Sequence, residues 1–228
     1  MKQQKKKSLI KSLAFRILYP ASEKYLSKER SYSYKDITIL VFPGVFHPGF
    51  YFSTKILLKY LEEIELNQKY ILELGAGTGL ISIFAAKCGG FVTASDISLT
   101  AVYNIEKNVK MTDANVEVIH SDLFDDVPNK RYDYIIINPP YYKKTPASAK
   151  EFAWFGGDDF QYFRKLFSQL GNNVYENTNV IMVLSDEADL EMIKSIAAEN
   201  KFHMQEVLHK KTWGENHFIY NIRSTENS

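Results

Sequence analysis

An apolar run that stops at two consecutive prolines sets the strongest limit on how this chain can fold. It reads Tyr132-Asp133-Tyr134-Ile135-Ile136-Ile137-Asn138-Pro139-Pro140-Tyr141-Tyr142. The β-branched residues of its first half are typical of a strand buried on both faces, as strands of a parallel sheet are. The prolines remove two backbone donors and fix φ twice, so the strand must end there. We predict a rigid loop at the carboxyl end of a strand, where open α/β sheets bind ligands. The alternative is a proline-stiffened surface turn.

Length and composition indicate one globular domain with a short extension. The chain has 228 residues, 45% of them hydrophobic and 24% charged, and a net charge of +1. These values exclude a disordered chain, and the near-zero charge identifies no partner. Cys88 is the single cysteine, which excludes an intrachain disulfide and a thiolate metal cluster, and we expect its thiol to be buried. No apolar run is long enough to span a membrane, so we expect a cytoplasmic protein without membrane or metal.

Short apolar strands alternate with longer amphipathic helices from residue 69 onward. This pattern is typical of a mostly parallel α/β sheet with helices on both faces. We predict strands at residues 37–42, 70–74, 91–95, 116–120, 132–137 and 180–184. We predict helices at residues 53–64, 80–88, 98–111, 159–175 and 187–200, the first and third with N-caps Ser53 and Ser98. Two final strands, at 204–209 and 218–222, are joined by 210–216 and predict an antiparallel hairpin.

The N-terminal residues predict a basic amphipathic helix. Apolar residues recur at helical spacing between positions 9 and 18, among the lysines Lys2, Lys5, Lys6, Lys7 and Lys11. We expect the apolar stripe to pack on the main domain and the lysines to be solvated. The alternative is contact with RNA phosphates or anionic lipid.

A glycine-rich turn and three acids predict a ligand crevice. The turn directly follows the strand at 70–74 and has glycine at alternate positions, Gly75, Gly77 and Gly79. Glycines let the backbone turn sharply and let a ligand approach without a Cβ in the way. Three acids stand at or near the ends of successive strands and would share one edge of the sheet: Glu73, Asp96 and Asp122. Carboxylates suit ribose hydroxyls or an ammonium group. The Gly-x-Gly-x-Gly spacing counts against a dinucleotide, which favours Gly-x-Gly-x-x-Gly.

These segments, taken together, resemble the ordered motifs of class I S-adenosylmethionine-dependent methyltransferases. The similar segments are Leu72-Glu73-Leu74-Gly75-Ala76-Gly77-Thr78-Gly79, Asp96-Ile97-Ser98, Ser121-Asp122-Leu123-Phe124 and Asn138-Pro139-Pro140-Tyr141. The set is most similar to the HemK/PrmC type, which methylates a glutamine side-chain nitrogen in translation release factors. Trp154-Phe155-Gly156-Gly157-Asp158 also resembles a segment of that type. The resemblance implies a Rossmann-like methyltransferase domain at residues 46–228, preceded by an extension at 1–45 that contains the basic helix and a strand. The chain resembles short members of the type, without the full N-terminal helical domain.

The resemblance assigns roles in binding the cofactor, S-adenosylmethionine. It implies that Gly75, Gly77 and Gly79 lie against the methionine part, with Glu73 near the ammonium group. Thr54 corresponds to a family threonine near the cofactor.

The same resemblance assigns residues to the nucleoside part. Asp96 would hold the ribose hydroxyls, and Ile97 belongs to the same cofactor-binding motif. Asp122 and Leu123 would border the adenine. Asn138 would contact the cofactor as well as the acceptor.

The catalytic residues that the resemblance implies are Asn138, Pro139, Pro140 and Tyr141. The Asn138 side chain and the Pro139 carbonyl would accept hydrogen bonds from the target NH2 group, and Tyr141 would stack on a planar target. The implied reaction is N-methylation of a planar amide or amino nitrogen, foremost a glutamine in a protein such as a translation factor. The loop at 143–157 would gate the substrate.

Three other interpretations remain open at this stage. A tRNA or rRNA base methyltransferase would use the same chemistry, and Lys143 and Lys144 would suit RNA. A non-catalytic binding module would keep the fold alone. An NAD-dependent oxidoreductase leaves Asn138 to Tyr141 unexplained.

Overall fold

The computed structural model describes residues 26–140, 157, 159–212 and 214–225. The predicted basic helix, Tyr141 and nearly all of the predicted gate loop lie outside these ranges. The strands in the described ranges are β1 (Arg30–Tyr34), β2 (Ile37–Val41), β3 (Tyr70–Leu74), β4 (Phe91–Asp96), β5 (Val116–His120), β6 (Tyr134–Ile137), β7 (Asn179–Ser185), β8 (Phe202–Thr212) and β9 (Glu215–Ser224). The helices there are α1 (Phe52–Leu61), α2 (Leu80–Lys87), α3 (Leu99–Thr112), α4 (Gln161–Leu170) and α5 (Leu190–Glu199). No helix within these ranges is long and apolar enough to cross a membrane.

Within the described residues the predicted strands and helices occur in the predicted order, with β1 as an additional strand, while several boundaries differ. α4 ends at Leu170 rather than at residue 175, because a glycine and two asparagines follow and are poor helix formers. α5 begins at Leu190 because the Asp189 side chain caps it by accepting a hydrogen bond from the Met192 N–H at 3.2 Å. Most of the connection predicted between β8 and β9 belongs to the strands themselves.

The larger sheet has seven strands in the described residues, in the order β5-β4-β3-β6-β7-β9-β8. β5, β4, β3, β6 and β7 are parallel, and β9 and β8 continue the sheet as an antiparallel hairpin. The mostly parallel sheet and its terminal hairpin are therefore confirmed. Strand order reverses between β3 and β6, where Leu74 pairs with Ile137. In open α/β sheets the crevice beyond such a reversal is the usual ligand site.

The core lies in two layers, one on each face of the sheet. Ile135 packs in the layer under α4 and α5, and its neighbour Ile136 packs in the layer under α1 and α2. Both side chains are fully buried. β6 is therefore covered on both faces, as its run of isoleucines predicted.

A small antiparallel pair, β1 with β2, packs against the layer under α1 and α2. The strand at β2 was predicted and β1 was not. The sequence of β1, Arg30-Ser31-Tyr32-Ser33-Tyr34, is polar at alternate positions and only half-buried, so it lacks the apolar density that marked the other strands.

Two local predictions are wrong. Ser53 is not an N-cap, because α1 begins at Phe52 with Tyr51 as its N-cap residue, and Ser53 is buried in the first turn. The Cys88 thiol is not buried, because Cys88 is the residue that ends α2 and lies at the surface. Ser98 does cap α3, accepting a hydrogen bond from the Ala101 N–H at 3.4 Å.

We expect Ile135→Ala and Ile136→Ala each to lower the free energy of unfolding by about 2–5 kcal/mol, because each opens a cavity in a close-packed layer. Tyr103→Ala, at a side chain that is 64% exposed, serves as the control and should change it by less than about 0.5 kcal/mol. Chemical denaturation measures all three variants. A lower free energy of unfolding in only one of the two isoleucine variants would indicate that β6 is buried on one face only.

Candidate functional site

The glycine turn between β3 and α2 leaves an open surface at the carboxyl edge of the sheet. All three glycines have positive φ, +69° at Gly75, +58° at Gly77 and +75° at Gly79. A Cβ on Gly75 would meet nothing within 4 Å, whereas one on Gly79 would lie 2.9 Å from Ile105 Cγ2. Gly79 therefore lets the turn pack on α3, and Gly75 presents bare backbone to whatever occupies the crevice.

Asp96 fixes this turn to the end of β4. Its carboxylate accepts hydrogen bonds from the Gly77 N–H at 2.9 Å and from the Ser98 N–H at 2.8 Å. Burial raises the pKa of Asp96, and the two N–H donors oppose that rise. The next residue, Ile97, follows the end of β4 and exposes 38% of its surface.

Glu73 lies beneath the turn and is only 3% exposed. Its Oε2 accepts a hydrogen bond from the Ser82 N–H at 2.8 Å and another from the Ser82 hydroxyl. Burial is the largest effect on this carboxyl and raises its pKa to about 8. Glu73 therefore carries a proton at neutral pH in this state, unless a cation enters beside it.

The loop after β5 is held by a lysine of α4. Lys165 Nζ lies 2.6 Å from the carboxylate oxygens of both Asp122 and Asp125. Leu123, between those two acids, is buried and has a φ of +55°, which is uncommon for a branched residue. The ion pairs and the buried leucine hold this turn in place.

Asn138 stands where β6 ends, next to the glycine turn. Its Nδ2 donates a hydrogen bond to Thr54 Oγ1 at 3.4 Å, and Thr54 is 4% exposed in the first turn of α1. Its Oδ1 accepts no hydrogen bond from any residue that the structure describes. Pro139 is buried and Pro140 half-buried.

The segment between β2 and α1 also lies against the glycine turn, at Gly77. Val45 and Phe46 both come within 4.0 Å of the position a Cβ on Gly77 would take. The rings of Phe46 and Tyr51 are 4.9 Å apart and tilted by 31°. Aromatic side chains thus border the crevice at the turn.

The structure brings the predicted residues of β3, β4, β5 and β6 to one edge, as parallel strands require. Tyr141 lies outside the described residues. Ser82 and Lys165, which contact predicted residues, were not foreseen. Lys165 lies 43 residues from Asp122, so no local pattern identifies it. Ser82 lies only 9 residues from Glu73, in the helix that follows the turn, but the glycine pattern does not show which helix residue meets the acid.

The residues present fit S-adenosylmethionine. Gly75 exposes backbone, Glu73 is a buried carboxyl that a cation would ionise, and the Ile97 side chain is open to a planar ring. Beside them Asn138 carries an amide oxygen that is able to accept a hydrogen bond from a donor group.

Comparisons with known proteins agree with this fit. The methyltransferase small domain family matches residues 36–154. A protein of Methanocaldococcus jannaschii, provisionally named a protein N5-glutamine methyltransferase, is 34% identical over 156 residues, which are 65% of this chain and 75% of that protein. The ribosomal RNA small subunit methyltransferase A of Mesomycoplasma hyopneumoniae is 33% identical over 121 residues, which are 53% of this chain and 44% of that protein.

Solved structures share the fold. The 16S rRNA N2 G1207 methyltransferase of T. thermophilus, in complex with AdoMet and guanosine, superposes with a TM-score of 0.64 at 19% identity. The match covers 86% of this chain and 51% of that one. The Rossmann-like methyltransferase architecture is therefore confirmed.

The buried carboxyl predicts a pH-dependent stability. Between the ordinary pKa of 4.5 and the folded pKa of about 8, Glu73 is ionised when unfolded and protonated when folded. The folded state then binds more protons, so this group lowers the stability as pH rises through that window. We expect Glu73→Gln, which keeps an acceptor for Ser82, to lose this slope. Denaturation of both proteins across the window measures the difference, and parallel curves would contradict the assignment.

Proposed function

The chain belongs to the methyltransferase small domain family, and we propose on that premise that it methylates the side-chain amide nitrogen of a protein glutamine. Its family and relatives make it an S-adenosylmethionine-dependent methyltransferase. The observation that carries a planar nitrogen as the acceptor is Asn138-Pro139-Pro140 at the end of β6, beside the glycine turn. The relative with a provisional glutamine N5-methyltransferase name supports it.

The acceptor nitrogen of an amide is a weak nucleophile because its lone pair is delocalised into the carbonyl. Asn138 Oδ1 and the Pro139 carbonyl accept hydrogen bonds from the two N–H groups of the target. These bonds aim the nitrogen at the methyl group and stabilise the positive charge that grows there. Tyr141, outside the described residues, stacks on the amide plane by the family resemblance.

S-adenosylmethionine supplies a methyl group on a sulfonium, which is already activated for transfer. The new N–C bond forms as the C–S bond breaks, and one amide proton leaves to water. Positioning is therefore the main task of the protein.

The cofactor residues follow the same proposal. Backbone at Gly75, Gly77 and Gly79 would lie against the methionine part, and Glu73, once ionised, would pair with its ammonium group. Thr54 holds Asn138 at the boundary between the cofactor and the acceptor.

The nucleoside part meets the next two strands. Asp96, which already accepts hydrogen bonds from two backbone donors, would also accept them from the ribose hydroxyls. Ile97, Asp122 and Leu123 would border the adenine, with Lys165 holding the Asp122 carboxylate in place.

A second candidate is methylation of an RNA base, whose exocyclic amino group is also planar. β8 is parallel to β7 through its pairing with β9, so β8 ends at the same edge of the sheet as the candidate site. Lys210 and Lys211, near that end, are exposed and suit phosphates. The relative named for ribosomal RNA methylation supports this candidate.

We expect Asn138→Ala to lower the rate of methyl transfer by about 10²–10³-fold, because the charge that grows on the acceptor nitrogen loses a preorganised acceptor. Binding of S-adenosylmethionine, measured by calorimetry, should change only a few-fold. Thr54→Val keeps the shape and removes the hydrogen bond to Asn138, so it should lower the rate less. Undiminished transfer by Asn138→Ala would overturn the catalytic assignment.

The acceptor class is decided by incubating the full chain with radiolabelled S-adenosylmethionine and cell extract and then separating protein from nucleic acid. We expect label in protein, stable to nuclease and present as methylglutamine after digestion. Asn138→Ala is the control for background labelling. Label confined to RNA would replace the glutamine proposal with the base-methylation candidate.

A further inference from the structure

Two asparagines of α3 are fully buried although nothing in a helix interior requires an amide. Asn104 and Asn108 are four residues apart, so they lie on one face of the helix, and both are 0% exposed. Buried amides are costly unless all their polar atoms are paired. Their partners are all backbone groups outside α3.

Most of these partners belong to β2. The Leu40 N–H donates to Asn108 Oδ1 at 2.8 Å, and the Leu40 carbonyl accepts from Asn108 Nδ2 at 2.8 Å and Asn104 Nδ2 at 2.9 Å. The Phe42 N–H donates to Asn104 Oδ1 at 2.9 Å. The two amides thus take the place of a neighbouring strand and tie the β1–β2 hairpin to the main sheet's helix.

Asn108 has one more partner, and it lies in the glycine turn. Its Nδ2 also donates to the Thr78 carbonyl at 2.9 Å. Both hydrogens of the Asn108 amide are then used, one for β2 and one for the turn, while its oxygen serves β2. Asn104 has no contact of this kind with the turn among the described residues.

We propose that Asn108 is a positioning residue for the S-adenosylmethionine site. Its side-chain amide holds the glycine turn and the β1–β2 hairpin in one fixed arrangement relative to each other. The Thr78 carbonyl lies between Gly77, which Asp96 holds, and Gly79, which packs on α3. The turn is therefore fixed on both sides of its centre. The inference concerns cofactor binding and holds whichever acceptor is methylated.

The β1–β2 hairpin is connected to the glycine turn through the segment that follows β2. β2 leads directly into the segment in which Val45 and Phe46 approach Gly77. A shift of β2 would move that segment relative to the turn and change the width of the crevice. One amide that bonds to Leu40 and Thr78 holds both walls at a constant separation.

The test compares matched substitutions in the 228-residue chain. Asn108→Asp keeps the size and the acceptor but removes the donor, so the carboxylate faces two carbonyl oxygens. Asn104→Asp makes the same chemical change where only β2 is contacted. We expect Asn108→Asp to weaken S-adenosylmethionine and S-adenosylhomocysteine binding, measured by calorimetry, by about tenfold or more, and Asn104→Asp to weaken it by less than about threefold.

A second pair of variants tests the proposal in case the aspartate variants do not fold. Asn108→Ala and Asn104→Ala introduce no charge and are measured well below their unfolding temperatures. Hydrogen exchange of the Gly77 and Gly79 amides should be faster in Asn108→Ala than in Asn104→Ala, which a merely destabilised hairpin would not produce. Equal ligand affinities and equal exchange for the two alanine variants would overturn the proposal.

Discussion

The pairing of β3 with β6 at the reversal of strand order is the constraint on which the site depends. Because Leu74 and Ile137 are in register, the glycine turn and the Asn138 loop begin side by side, about 5 Å apart. One loop presents bare backbone and the other an amide oxygen. The core residues on both faces of β6 keep this pairing rigid, so hydrophobic packing defines the distance across which a methyl group would move.

Buried polar groups then hold the glycine turn at the position that the sheet defines. Asp96 holds Gly77 from one side and Asn108 holds Thr78 from the other, while Glu73 bonds to Ser82 at the start of α2. Each group is buried and paired, which makes the turn expensive to deform. Burial raises the pKa of both carboxyls, and that of Glu73 reaches about 8. A cation beside Glu73 would favour its ionised form.

The sequence predicted those parts whose physics is local. The strand at 70–74 and the glycine turn were predicted because apolar density, positive φ and proline restriction act within a few residues. The exposed Cys88 and the uncapped α1 were not, because they depend on where a helix begins and ends by a single residue. Asn104 and Asn108 resemble surface residues of an amphipathic helix, since their partner strand lies more than sixty positions earlier. The roles assigned to the site residues, Tyr141 among them, stay predictions.

The order of the last strands has a consequence for biosynthesis. β9 lies between β7 and β8, so β8 has no place in the sheet until the chain has been made through Ser224 and returned. Until then β7, with Val180, Met182 and Leu184 in its centre, has an open apolar edge next to the nascent site. Such edges recruit other strands, which leads to aggregation. A chain that ends before Glu215 would therefore lack β9, and the β7 edge of the sheet would stay unpaired.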